Sequence, residues 1–259
     1  MSRWIRFRKG GTTGFGVLEE GVIVVHRGDL FDGAVPSGER VALTEVEVLT
    51  PCVPTKMVAL WNNFHALAAK LGQSIPPEPL YFLKSASSFH PHAAPIRVPA
   101  SYSGKVIFEG ELGVVIGKRC RAVGEAEAAS HIFGYTGIND VTAVELLFKD
   151  ASFPQWTRAK GFDTFGVFGP VIATGLDPAA LRVRTLLNGE LRQDYAVADM
   201  VFPPARLVSL ISQDLTLEPG DVIACGTSIG VGSMKPGSVV SVVIDGIGEL
   251  TNRYGNAVA

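Results

Sequence analysis

The sequence predicts a mostly β chain with some helix, an α+β fold of the mixed β-sandwich roll type preceded by a small N-terminal β module. Three observations predict it. Short runs rich in Val, Ile and Phe outnumber the helical stretches, turn residues recur roughly every eight to twelve positions, and no regular strand–helix–strand rhythm develops.

Taken in order, residues 3–7 (RWIRF), 14–19 (GFGVLE) and 21–26 (GVIVVH) alternate or cluster apolar residues between glycines, which predicts an antiparallel meander. Pro51 and Pro54 then punctuate the chain, so residues 1–50 form the small module and residues 51–259 the main domain. MVAL (57–60) is a buried strand, and NNFHALAAKLG a short amphipathic helix stopped by Gly72. SIPPEPLYFLK is a proline-rich loop entering a strand that ends at Lys84. Residues 105–117 form one strand, GEAEAASHIFG a helix, and YTGINDVTA a strand or loop. Asn188-Gly189 between two alternating runs is the strongest hairpin signal in the chain. PARLVSLISQD is a helix, and the region after it alternates strands with glycine turns.

Composition narrows the function. The 259 residues are 47% hydrophobic, enough for a large core, with a net charge of −2 and no basic block, so nucleic acid is not an expected partner. Apolar runs fall well short of the ~18 residues of a membrane helix, and no apolar region follows the basic start, so no membrane and no signal peptide are expected. Three cysteines far apart, Cys52, Cys120 and Cys225, fit reduced thiols in a cytoplasmic protein.

The chemistry begins in VIFEGELGVVIGKRC (106–120). On a strand, Glu109 and Glu111 share a face with Cβ atoms ~7 Å apart, while Phe108, Gly110 and Leu112 take the other. Two like charges inside an apolar segment need compensation, and a hard divalent cation supplies it economically. Asp140, in GINDVTA, offers a third carboxylate. The bare Glu-x-Glu also suits the solvated face of an edge strand, and the motif alone does not choose.

FEGELGVVIGKRCRAV, GYTGINDVTA, QWTRAKGFDTFGVFGPVI, LNGELRQ and GDVIACGTSIGVGSMKPGSVVSVVIDGIGELTN together resemble, in order and spacing, the fumarylacetoacetate hydrolase family over residues 55–253. The resemblance implies Mg²⁺ or Mn²⁺ held by Glu109, Glu111 and Asp140, and a small-molecule 2-oxo acid as substrate. It implies Lys160 beside the metal as a catalytic residue, and Lys84, Gly226 and Thr227 as substrate-binding residues. No Walker phosphate loop is present, because its GK[ST] ending is missing. The family's reactions share a metal-stabilised enolate. C–C hydrolysis of an acylpyruvate is the leading expectation, isomerisation or decarboxylation the second, and a non-catalytic metal-stabilised binding protein the third. A homodimer is expected on the same ground.

Two positions depart from the family pattern. Many members carry N-Y-x-x-H, whose histidine activates water. Here Asn63-Phe64 matches the start, Leu67 stands at the expected histidine position, and His65 lies two residues early with no acid one turn beyond. His65 is retained as the candidate base. Val144 stands where many members have arginine, which argues against a short dicarboxylate held in the usual way. His90 and His92 read as loop residues.

Overall fold

The alternating runs pair as strands in three sheets, seen in a computed structural model that describes residues 1–255. The opening meander comprises Arg3–Lys9, Thr12–Glu19 and Val22–Arg27, and a fourth strand, Val35–Ala42, extends it. That fourth strand carries Pro36 and Gly38 and gave no strand signal; it tolerates them because it lies at the sheet edge, mostly exposed. Arg3–Lys9 pairs antiparallel with Gly166–Ala173, so the meander is continuous with the largest sheet.

From Gly166–Ala173 that sheet runs through Ile132–Asp140, Gly110–Ile116, Val222–Ala224 and Met57–Trp61 to Leu80–Lys84. The short segment Phe89–His90, just beyond Lys84, pairs parallel with Gly166–Ala173, so the sheet curls into a roll. Register defines its inner face. Val115 lies opposite Val222 and Val222 opposite Met57, while Ala224 links Gly113 to Ala59 in the same way. Met57, Ala59, Val115, Val222 and Ala224, with Ile138, Phe168 and Ile172, fill the interior as an apolar plug. The alternate residues Leu112, Val114 and Ile116 belong to the larger outer core, with Leu207, Val208 and Ile211 of the helix Pro204–Asp214. Val183, Val240, Val242 and Leu250 of a four-stranded sheet complete that core.

The hairpin forms as predicted: Arg182–Leu187 and Glu190–Ala196 flank Asn188 and Gly189, both at positive φ (53° and 81°), as a two-residue turn of this kind requires. In GEAEAASHIFG the helix is shorter than expected. One α turn, Glu125–Ala128, gives way to a 3₁₀ turn, and a strand begins at Ile132, where a β-branched and an aromatic residue favour pairing with Ile116. All three cysteines are buried and unpaired. Among the described residues no helix is long and apolar enough to cross a membrane.

The largest departure from the sequence reading concerns residues 105–117, which are not one strand. Val106–Phe108 lies in a three-stranded sheet between Thr142–Ala143 and Gly232–Met234, Gly110–Ile116 lies in the roll, and Glu109 is the break. Gly110 makes the transfer possible, since a Cβ there would overlap Thr185 Oγ1. Gly110→Ala is therefore expected to cost about 3 kcal/mol, the upper range for an overpacked interior. Chemical denaturation of the variant against wild type measures it.

Candidate active site

The register that builds the plug also assembles the acids at one rim of the roll. Glu111 precedes Gly113 by two residues and Asp140 follows Ile138 by two, so both point inward. Glu109 joins them from the strand break. One carboxylate oxygen from each lies within 4.8 Å of the others, and all three residues are buried. The helix Trp156–Lys160 delivers Lys160, whose Nζ donates to Glu109 Oε2 at 2.5 Å and Asp140 Oδ2 at 2.6 Å. Lys84, opposite Met57 and thus also inward, donates to Asp140 Oδ1 and to the Lys160 carbonyl. Thr142 Oγ1 donates to Glu109 Oε1 at 3.0 Å. Among the described residues, Glu111 Oε2 accepts only the Gly226 N–H, at 2.8 Å.

Three carboxylates thus face two ammonium groups. Burial alone would raise the Asp140 pKa, but Lys160 and then Lys84 outweigh it and hold that carboxyl below its usual range. Burial disfavours the Lys160 charge, yet Asp140, Glu109 and Glu111 together lift it above an ordinary lysine. Lys84 is pulled down, because burial outweighs the attraction of Asp140 and Lys160 adds repulsion. Burial raises Glu109 despite Lys160, and it raises Glu111 much further, with the Asp140 charge adding to it. Glu111 is the carboxylate with no cation of its own. A hard dication fits this donor set: the oxygens lie close to the ~4 Å span of oxygens opposite one another across a small ion, and all are carboxylates.

Gln193 and Tyr195, which the motifs did not single out, join Thr227 in fixing Gly110 between the two glutamates. Gly110 N–H donates to Gln193 Oε1 at 3.0 Å, and its carbonyl accepts from Tyr195 Oη at 2.6 Å and Thr227 Oγ1 at 2.9 Å. Gln193 Nε2 donates to Thr227 Oγ1 at 2.9 Å, and Asn139 Oδ1 accepts the Glu109 N–H at 3.1 Å. Alternation along Glu190–Ala196 places Gln193 and Tyr195 on one face, but only the fold reveals that this face meets Gly110. Thr227 is engaged in this clamp, and Gly226 sits on Glu111 at φ 88°, a conformation suited to glycine.

The candidate base stands apart. His65 is the exposed first residue of the helix His65–Leu71 and makes no hydrogen bond to the acids. Its loop is nonetheless anchored next to the site, with Asn63 Nδ2 donating to Cys225 O at 2.9 Å and Asn63 Cβ packed near Gly226. Leu67 is buried in the outer core, so a histidine there would be sealed from the rim. Val144 begins a short helix, half-buried and neutral. His90 and His92 hydrogen-bond to the loop carbonyl of Pro95 and the Thr251 N–H, away from the acids.

Similarity to known proteins follows the same outline. The fumarylacetoacetate (FAA) hydrolase C-terminal domain profile matches residues 56–254, and an Rv2993c-like N-terminal domain profile matches residues 2–51. Oxaloacetate tautomerase YisK of Bacillus subtilis is 34% identical over 228 residues, spanning 83% of this chain and 75% of that protein. The crystal structure of 2-hydroxyhepta-2,4-diene-1,7-dioate isomerase from Mycobacterium marinum is similar with a TM-score of 0.90 and 36% identity over 98% of both chains. Maleylpyruvate hydrolase from Sphingobium sp. SYK-6, solved in complex with manganese(II) ion and pyruvate, has a TM-score of 0.79 and 28% identity over 98% of this chain and 99% of that one. The matched region contains the roll and every acid and lysine of the cluster, and this chain belongs to the fumarylacetoacetate hydrolase family.

Proposed function

We propose that the chain is a Mg²⁺- or Mn²⁺-dependent hydrolase that cleaves the C3–C4 bond of an acylpyruvate-type 2-oxo acid. One observation carries the reading: Glu111 is a buried carboxylate that shares its space with Glu109 and Asp140 and lacks a cation partner. With all three acids ionised, as ligands to a cation, the cluster is one positive charge short, a dication leaves it one in excess, and the carboxylate of a 2-oxo acid closes the balance. Relatives that act on oxaloacetate and maleylpyruvate, by their names, support that substrate class.

Glu109, Glu111 and Asp140 would hold the ion, with the Gly110 clamp fixing the peptide between two of them. Bound there, the dication supplies Lewis-acid charge to the 2-oxo and carboxylate oxygens. Lys160, kept protonated by its acids, presents an ammonium to the oxygen on which negative charge develops. Water adds to the C4 carbonyl, and His65, on the loop that Asn63 anchors beside Gly226, takes the proton from that water. The C3–C4 bond breaks, its electron pair passes toward the 2-oxo group, C3 regains a proton, and a carboxylic acid and pyruvate leave.

The second reading is an isomerase or tautomerase of 2-oxo acids. It is favoured by the exposed, unpartnered His65, since keto–enol proton transfer needs no activated water. His65→Asn separates the two. For a hydrolase, acylpyruvate cleavage falls at least 100-fold while C3 proton exchange in deuterated water persists; for a tautomerase, exchange is the main activity and cleavage is absent in wild type.

Glu111→Gln should weaken Mn²⁺ binding by about 100-fold or more in calorimetry and abolish turnover, as EDTA does to wild type. The metal-free variant should be no less stable than wild type, because burial and the Asp140 charge already disfavour ionisation of the carboxyl that the neutral amide replaces. Unchanged Mn²⁺ affinity would overturn the metal assignment. Lys160→Met removes a cation from two buried acids and is expected to cost about 3–5 kcal/mol in denaturation of the metal-free protein.

A further inference from the structure

The geometry points to a specificity cleft for the far end of the substrate: Trp61, Phe82 and Trp156 receive an aryl or similarly bulky apolar acyl group. The inference rests on the reading of the acid cluster as a 2-oxo acid site and names the substrate class within it.

Three placements bring these rings to the acids. Trp61 pairs with Leu80 across the last two strands of the roll, and Phe82 and Lys84 follow Leu80 on the same inward face. Ala59 pairs in register with Ala224, and Ala224 with Gly113, so Trp61, Gly226 and Glu111, each two residues further along toward one end, share a rim. Trp156 and Lys160 are one turn apart on their helix and face the same way. The contacts agree. Lys160 Nζ lies 5.5 Å from the Phe82 ring centroid, Phe82 stacks on Trp156 at 5.4 Å and 22°, and Trp156 meets Trp61 at 5.2 Å. A single ammonium separates the acids from an aromatic surface.

The rings border an open cleft of about 190 Å³, lined by Trp61, Leu80, Tyr81, Phe82 and Trp156. That exceeds the ~150 Å³ cavity that admits benzene. No basic side chain lines it and the Tyr81 hydroxyl already donates to Asp214, so the second carboxylate of a dicarboxylic substrate would meet no cation there. An aromatic arm instead finds faces and edges with which to stack, and Leu80, 42% exposed, adds apolar surface at the mouth.

Three oxamates, unreactive mimics of 2-oxo acids, test this on Mn²⁺-loaded full-length protein: N-methyl-, N-phenyl- and N-carboxymethyloxamate. Calorimetry gives affinities, and quenching of tryptophan emission gives location, since Trp61 and Trp156 are two of only three tryptophans. The phenyl compound is expected to bind about tenfold tighter than the methyl compound, with quenching, and the carboxymethyl compound no tighter than the methyl. Trp156→Ala should cut the phenyl-to-methyl ratio at least fivefold, and Trp156→Phe should retain most of it. The wild-type ratio needs no variant, and Trp61→Ala provides a second if Trp156→Ala does not fold. Methyl binding with a phenyl ratio below about two, a preference for the carboxymethyl arm, or a ratio that survives Trp156→Ala overturns the cleft and leaves the acid site standing. A cleft covered by a second copy of the chain would show the first of these. Failure of all three oxamates to bind overturns the acid-site reading and the cleft together.

Discussion

Three carboxylates, Glu109, Glu111 and Asp140, share a space in which their oxygens come within 4.8 Å of one another, and that crowding sets the terms for the elements around it. At that separation and an effective dielectric of 20, each pair of charges repels by roughly 3 kcal/mol. The chain meets this with Lys160 across two of the acids and Lys84 on the third side of Asp140. Each lysine comes from a segment far from the acids in sequence, so the cluster exists only once the roll has closed. The same cations make the site specific for charge. They neutralise enough of the repulsion for the fold to form, yet leave Glu111 with an amide donor alone.

Placement of the acids depends on a device that lies behind them. Glu109 and Glu111 converge because the chain leaves one sheet at Glu109 and enters the next at Gly110, and Gly110 is gripped on both its N–H and its C=O. Gly110 has no side chain, so Thr185 of the neighbouring sheet fits against it. Gln193 and Thr227 also bond to each other, which ties the hairpin Arg182–Ala196 to the turn that carries Gly226. One short network therefore sets the spacing of two carboxylates and positions the amide that meets the second.

How much of this was legible in sequence varied with the range of the interaction. The period-two alternation holds from Gly110 onward, where it turns Glu111 inward with Gly113 and Val115 and Leu112 outward, because side-chain direction is local; Glu109 meets Glu111 from the break instead. Asn188-Gly189, the helix Pro204–Asp214 and the Gly72 stop are likewise local and match their expected positions. The break at Glu109 was not legible. An apolar β-branched run looks the same whether it stays in one sheet or passes between two, and Thr185, the neighbour that only a glycine at 110 accommodates, is 75 residues beyond Gly110. Lys84 was marked by the resemblance alone, since only closure of the roll brings it to Asp140. The segment Asn63–Leu67 shows the same limit. Motif spacing points to Leu67, whereas burial assigns Leu67 to the core and leaves His65 outside it.

The roll therefore has three zones along its inner face: an apolar plug, a charged cluster, and an aromatic rim. They answer different demands. The plug is sealed and fixes register. The cluster concentrates field on whatever oxygens enter it, and the charge development it favours is common to hydrolysis, isomerisation and tautomerisation of 2-oxo acids alike. Nothing in the cluster distinguishes those outcomes, because each begins by drawing electrons toward the same 2-oxo oxygen. Discrimination has to come from groups that touch the remainder of the substrate or the attacking water. On the proposed reading those groups would be at the rim, on the edge strand, on the single helical turn that also carries Lys160, and on the loop leading to His65. These segments carry few of the backbone pairings that hold the acids, so their side chains can be exchanged without disturbing the charge balance. A family that varies its chemistry while keeping its acids would be expected to vary there first.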